Sequence, residues 1–378
     1  MRPTTLVPSP IQEIMAISIP RHITRLIADE PFLTPERPMT FSILRDGFHI
    51  LNASVEEAGQ AATKGFERRI QHFGSSLMCY SPTSYPYRIR DHRQTTSTSF
   101  ISLSITGRTC SLNCEHCNGR LLRGMEPVLT PEGLVKRCKE VKAQGAEGVL
   151  ISGGSDSEGH VPLAHYAEEI STIKKDIGLK VVVHTGLVDD DTARILAKAK
   201  VDAAMLDVIG DERVARDVYH IENGPAKMDK SLEVLARNGV PTVPHVLVGL
   251  NYGQLGGELE ALHLISRRPT AAVVIIILSP IKKTAMEGVE PPTPDVVGRF
   301  MTIARLGLER TPLLLGCARP IGKHKIESDR FAVKSGMNGI AYISQEGVDL
   351  ARSMGLRPVF RDACCSLAPH DLIQAALS

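Results

Sequence analysis

Thr98-Ser-Phe100-Ile-Ser-Leu-Ser-Ile105-Thr-Gly-Arg-Thr-Cys110-Ser-Leu-Asn-Cys114-Glu-His-Cys117 joins a short apolar run to a loop crowded with thiols. Phe100–Ile105 has the length and composition of a strand, and three of the eight cysteines follow it within eight residues. Outward from this stretch the pattern repeats. Short β-branched runs lie at Gly148–Ser152, Lys180–His184, Ala203–Asp207, Thr242–Val248, Ala272–Leu278, Leu313–Leu315 and Gly339–Ile343. Amphipathic helical stretches begin between them, near Thr130, Val161, Asp189, Asp211, Ala226, Gly253, Thr293, Glu327 and Ser344. Thr130-Pro131 and Thr293-Pro294 each place a capping hydroxyl before a proline at the first helical position.

Such alternation predicts an α/β fold with a parallel sheet and helical crossovers. Eight repeats predict closure into a (β/α)8 TIM-type barrel over residues 98–356, although six would suit a partial barrel. Residues 1–97 read as an N-terminal extension of helix and loop. Its helices are expected at Ile11–Ile27 and Ser54–Phe73, with Pro31, Pro35 and Pro38 between them, before the loop-forming Tyr80–Tyr87. Residues 357–378 form a short C-terminal tail carrying Cys364 and Cys365.

Composition narrows the function. Net charge is +2 over 378 residues, tryptophan is absent and aromatics make up 4%. With no Lys/Arg-rich block, this disfavours nucleic acid as a partner. The apolar run Ala271–Leu278 is far below the roughly 18 residues that cross a bilayer, and no signal-peptide region is apparent. A cytoplasmic protein with no membrane partner is expected. Eight cysteines in such a chain indicate metal or redox chemistry rather than a disulfide framework. Cys138, inside an amphipathic helix, reads as a buried small hydrophobe.

The cysteine loop falls at the C-terminal end of the first barrel strand, the edge where such barrels place their chemistry. Three thiolates at these spacings suit three irons of one cubane and leave the fourth iron open. A zinc site ordinarily takes a fourth Cys or His, and His116, between two ligands, is poorly placed to be one. Ser152-Gly153-Gly154-Ser155-Asp156 ends the second strand, where two glycines let the backbone approach a ligand. Asp207 and Asp211 follow the fourth strand as candidates for holding hydroxyl groups; Asp211 equally suits a helix cap. His184, at the end of the third strand, is a catalytic candidate by barrel position. His245 is as well explained as a satisfied core or lumen histidine.

The Cys110-Cys114-Cys117 pattern after the first strand resembles the signature of the radical S-adenosylmethionine (SAM) superfamily. The resemblance implies a [4Fe-4S] cluster on these cysteines whose open iron binds SAM, and whose reduction releases a 5′-deoxyadenosyl radical. It also implies that His116 and Gly249 lie near the adenine and that Ser152, Gly153 and Gly154 meet the SAM amino group, while Asp207 and Asp211 are candidates for holding ribose hydroxyls or substrate. The family's Gly-Gly-Glu-type turn is altered here, its acidic residue displaced to Asp156.

Leu278–Glu287 and Pro291-Pro292-Thr293-Pro294 are similar to the loop after the sixth strand in the biotin synthase-like branch. Gly316-Cys317-Ala318-Arg319-Pro320 and Cys364-Cys365-Ser366-Leu367 most resemble the archaeal-type two-component lipoyl synthase subunits. That likeness implies an auxiliary [4Fe-4S] cluster drawing on Cys79, Cys317, Cys364 and Cys365, and sulfur insertion into an unactivated C–H position of an octanoylated carrier. Expected partners are a second radical SAM subunit, an acyl carrier or lipoyl-domain protein as substrate, and ferredoxin or flavodoxin as reductant. Adjacent Cys364 and Cys365 side chains tend to diverge, so packing residues or free thiols remain an alternative. Arg319 suits a carboxylate of SAM or substrate, or a structural salt bridge. The chain lacks both the N-terminal CxxxxCxxxxxC and the Arg-Ser-Ser-Tyr-like tail of bacterial lipoyl synthase, so either the auxiliary ligands are rearranged or the reaction differs. The alternatives are a biotin synthase-like mutase, lyase or cofactor maturase, and a non-catalytic metal-binding module.

Overall fold

The computed structural model describes residues 41–377. The helix expected over Ile11–Ile27 and the prolines at 31, 35 and 38 lie outside the described residues. The strands are β1 (Ser76–Tyr80), β2 (Phe100–Ser104), β3 (Glu126–Pro127), β4 (Gly148–Ser152), β5 (Lys180–His184), β6 (Ala203–Asp207), β7 (Thr242–Val248), β8 (Val273–Ile277), β9 (Leu313–Leu315), β10 (Gly339–Ala341) and β11 (Arg357–Arg361). They form one sheet in the order β11-β1-β10-β9-β8-β7-β6-β5-β4-β2-β3. Every paired ladder is parallel. The eight expected runs are all strands, β2 and β4 to β10, and they are neighbours in chain order. Being covered on both faces, they read as near-continuous apolar runs.

The sheet curls into the TIM-type arrangement, and its ends meet without a strand ladder. Thr83, just past β1, donates its backbone N–H to the Phe100 carbonyl at 3.3 Å, and the Phe100 N–H returns a bond to the Thr83 hydroxyl at 3.2 Å. Arg361, at the end of β11, pairs with Glu147 ahead of β4.

Helical crossovers start where the caps place them. Thr130 accepts from the Gly133 N–H at 3.1 Å, and Asp211 accepts from the Val214 N–H at 2.9 Å. Each such cap contributes about 1 kcal/mol. Asp211 is thereby a helix cap. The helix Val55–Phe73 opens with a capping box between Ser54 and Glu57. Arg299, on the helix Pro294–Gly307, binds the Ile50 and Ala53 carbonyls at 2.9 and 2.7 Å and so ties the N-terminal helices to the outside of the sheet.

Three strands went unanticipated. β1 lies within the stretch read as helix and loop, and β11 lies within the tail. β1 (Ser-Leu-Met-Cys-Tyr) has no β-branched residue, and β11 carries Pro358 on an edge strand, where proline is tolerated. β3 is two exposed residues at the opposite edge. Among the described residues no helix is long and apolar enough to cross a membrane.

Candidate active site in the sheet interior

The cysteine loop leaves β2 at its C-terminal end and is bound on two sides. On one side lies the glycine turn after β4. The Gly154 N–H donates to the Thr106 hydroxyl at 2.6 Å, and the Ser111 N–H donates to the Ser155 carbonyl at 2.8 Å. A Cβ on Gly154 would overlap the Thr109 carbonyl and lie 2.6 Å from the Cys110 Cα; one on Gly153 would press on Thr106 at 2.9 Å. The two glycines therefore hold the cysteine loop against β4. The Ser152 hydroxyl donates to the His184 carbonyl at 2.9 Å.

On the other side the helix Glu212–Tyr219 ends against the loop. Glu115 N–H donates to the Val218 carbonyl at 2.9 Å, and the His220 ring meets the Leu112 carbonyl at 2.6 Å and Glu115 at 3.2 Å. The His116 ring stacks on Tyr219, with centroids 4.9 Å apart and planes 17° from parallel. Its Nδ1 is buried without a partner. Donor atoms of Cys114, His116 and Cys117 all lie within 4.8 Å of one another, and Cys110 is near enough to disfavour a thiolate on Cys114. Hydrogen bonding from Cys114, with further help from His116, favours the thiolate on Cys117. A compact cluster of thiols that favours a thiolate at Cys117 fits a thiolate-ligated iron–sulfur cluster.

Period-two alternation sorts the remaining candidates. Met78, Tyr80, Val182, Met205, Val243, Val274, Leu314 and Ala341 share the inner apolar cluster, while Leu77, Cys79, Val183, Leu206, Val246 and Ile340 pack in the helix-facing core. Cys79 is thus a correction to the expected auxiliary set. It points into the helix layer, 1% exposed, its thiol 3.7 Å from the Leu77 carbonyl. Burial pushes that thiol far up from its usual range.

His184, Asp207 and His245 belong to the inner face. Burial opposes charge on Asp207, but the His184 and His245 rings and the Tyr219 hydroxyl outweigh it and hold the carboxyl well below its usual range. Tyr219 donates to Asp207 at 2.9 Å, and His184 Nε2 lies 3.6 Å from the other Asp207 oxygen. Burial works against a charged His184, yet Asp207 raises it above the ordinary value. His245, buried beside His184, falls to about 4. Asp207, a candidate for holding ribose, thus commits Oδ2 to Tyr219 and keeps Oδ1 beside His184. Tyr219 was not anticipated; its only signal was its position at the end of an amphipathic helix.

The tail leaves β11 at its C-terminal end. Asp362 accepts from the Ser81 hydroxyl at 2.6 Å and the Thr95 N–H at 2.9 Å, and Tyr80 donates to Asp371 at 2.9 Å. The helix Ala368–Leu377 lies near the N-terminal ends of the strands, with His370 3.9 Å from Asp202. Ala363, Cys365, Leu367 and Ala368 join the inner cluster. Cys317, after β9, feels Cys364, and Cys364 in turn feels His184. Hydrogen bonding between the adjacent pair lowers Cys364 below the usual thiol value and raises Cys365 above it. Cys364 and Cys365 thus lie at the inner cluster, while Cys317, exposed after β9, is near enough to influence both. Among the described residues the compact donor sets are Cys114–His116–Cys117 and His184–Asp207–His245, and Cys317, Cys364 and Cys365 do not close into a third.

Arg319 and Gly249 are taken up by packing. Arg319 is 5% exposed and binds Asp329 at 2.8 Å, the Gly316 carbonyl and the Ala341 carbonyl. This is the structural salt bridge rather than a free cation for SAM. Gly249 has φ +86°, and an added Cβ would overlap the Pro292 ring. Cys138 is fully buried, as expected.

Comparison with known proteins agrees with this architecture. A radical SAM superfamily signature matches residues 104–257. The chain is 22% identical over 318 residues to a biotin synthase of Leptospira biflexa serovar Patoc, covering 81% of both chains. In fold it is similar to methylornithine synthase (TM-score 0.59, 15% identity, 86% of this chain and 96% of that one). It is similar too to the FeFe-hydrogenase maturase HydG from Carboxydothermus hydrogenoformans (TM-score 0.61, 16% identity, 89% and 80%). With the cysteine loop at the end of the first crossover strand of a curled parallel sheet, the chain is similar to the radical SAM superfamily over residues 104–257.

Proposed function

We propose that this protein is a sulfur-inserting radical SAM enzyme, lipoyl synthase-like, acting on an octanoyl chain attached to a carrier protein. Cys110, Cys114 and Cys117 would hold the SAM-binding [4Fe-4S] cluster. Cys317, Cys364 and Cys365 would serve an auxiliary one. The bound groups supply a 5′-deoxyadenosyl radical from SAM and a source of sulfide. The observation that carries the reading is the placement of Cys364 and Cys365 at the inner apolar cluster, with Cys317, from a segment distant in sequence, near enough to influence both thiols.

The chain's own residues act as holders and walls. Gly153 and Gly154 set the cysteine loop, and the Tyr219–His116 stack covers its flank. Leu150, Val182, Val243 and Ile276 give the interior apolar walls, suited to an acyl chain and to keeping water from a radical. A second radical SAM subunit, a cytoplasmic ferredoxin or flavodoxin and the acyl carrier complete the proposal.

Anaerobic reconstitution tests it. About eight irons per chain are expected, falling to about four in a Cys317→Ala/Cys364→Ala/Cys365→Ala variant that still forms 5′-deoxyadenosine. About four irons in the unaltered chain, with 5′-deoxyadenosine formed, would favour a mutase, lyase or maturase. The His116 nitrogen within the cysteine set favours one rival, a zinc-holding module. Absence of both 5′-deoxyadenosine and sulfide would point there.

A further inference from the structure

β5, β6 and β7 are adjacent, and their register sets Asp207 directly beside His245 and Met205 beside His184. His184 and Asp207 end their strands and His245 lies midway along β7, and the three side chains therefore project to one face at neighbouring positions, carried by strands rather than loops. One donor atom from each of His184, Asp207 and His245 lies within 4.8 Å of the other two.

Their supports are those of ligands held for an ion. The Tyr219 hydroxyl donates to Asp207 Oδ2 at 2.9 Å, leaving Oδ1 on the side of His184 Nε2, 3.6 Å away. His245 Nδ1 faces the Val243 carbonyl at 3.2 Å, so the proton is best placed on Nδ1 and the Nε2 lone pair is left available. Ser152 pins the His184 backbone at 2.9 Å. None of the three side chains is fully covered, although all lie inside the sheet.

We propose that His184, Asp207 and His245 bind a divalent first-row transition-metal ion, with open positions directed into the sheet interior. Two imidazoles and one carboxylate are a ligand set for Zn²⁺, Fe²⁺ or Co²⁺, and the open positions suit an oxygen of a bound substrate. The site uses no cysteine, so it stands or falls separately from the sulfur-insertion reading.

The test is anaerobic titration of the full-length, iron–sulfur-reconstituted chain with CoCl₂, followed by desalting and metal analysis. The expected result is one Co²⁺ per chain, with visible d–d bands and no intense thiolate-to-cobalt charge-transfer band. His184→Ala and His245→Ala should each weaken Co²⁺ binding at least about tenfold, as loss of a ligand-shell contact commonly does, while cluster absorbance and far-ultraviolet circular dichroism stay unchanged. Cobalt uptake with thiolate charge transfer, uptake indifferent to both substitutions, or no stoichiometric uptake would each overturn the proposal. The spectrum of the unaltered chain decides the ligand type even if a variant fails to fold.

Discussion

The loop after β2 and the segment after β11 both carry clustered cysteines, positioned by opposite routes. Cys110, Cys114 and Cys117 sit within eight residues, and one turn and one helix end hold them where their strand delivers them. Cys364 and Cys365 depend on Asp362, Tyr80 and Asp371, contacts that reach back more than 250 residues, and they come near Cys317 only through the folded sheet. A ligand set made by local spacing survives much change elsewhere. One made by long-range packing is only as stable as the fold around it.

Substitutions can break that contrast. The largest effect is expected from Cys114→Ala, which should abolish 5′-deoxyadenosine formation in a reductive SAM-cleavage assay. On the proposed sulfur-inserting reading, Cys317→Ala and Cys365→Ala should leave cleavage within about twofold and eliminate sulfurated product, separating sulfur transfer from radical generation. Loss of cleavage in both sets would show that the two regions do not act separately.

Stability tests sharpen the comparison. Asp329→Ala strips the partner from buried Arg319 beside the Cys317 turn and should cost about 3–5 kcal/mol, read as a fall in urea midpoint. Gly154→Ala should displace the cysteine loop. A core overlap of this kind costs about 1–3 kcal/mol, read as reduced iron retention at the first cluster. Tyr80→Phe, which removes the bond to Asp371 beneath the tail, should cost about 1 kcal/mol of stability. It should loosen Cys364 and Cys365 while sparing the first loop, as thiol-labelling rates would report.

The βα alternation was legible because each buried parallel strand is an apolar run and each crossover helix begins at a side-chain cap. The eight expected runs appear as β2 and β4–β10. β1 and β11 were hidden because Leu77-Met78-Cys79-Tyr80 and Pro358-Val359-Phe360 carry no strong strand signature and join the sheet only by docking, β1 beside β10 and β11 beside β1. The cysteine loop was legible for a similar reason, since its ligands are close in sequence. The placement of His245 was not: strand phase reveals which face a residue takes only once neighbouring strands define an inside.

Sequence alone determined the strand–helix rhythm and the thiol spacing at 110–117, because both are local properties of a few consecutive residues. Tertiary structure decided everything that needs two distant segments. It turned Cys79 toward the helices, paired Arg319 with Asp329, stacked Tyr219 on His116, and set His184, Asp207 and His245 on one inner face. Which face a side chain shows, and which partner waits there, is fixed by strand register and closure.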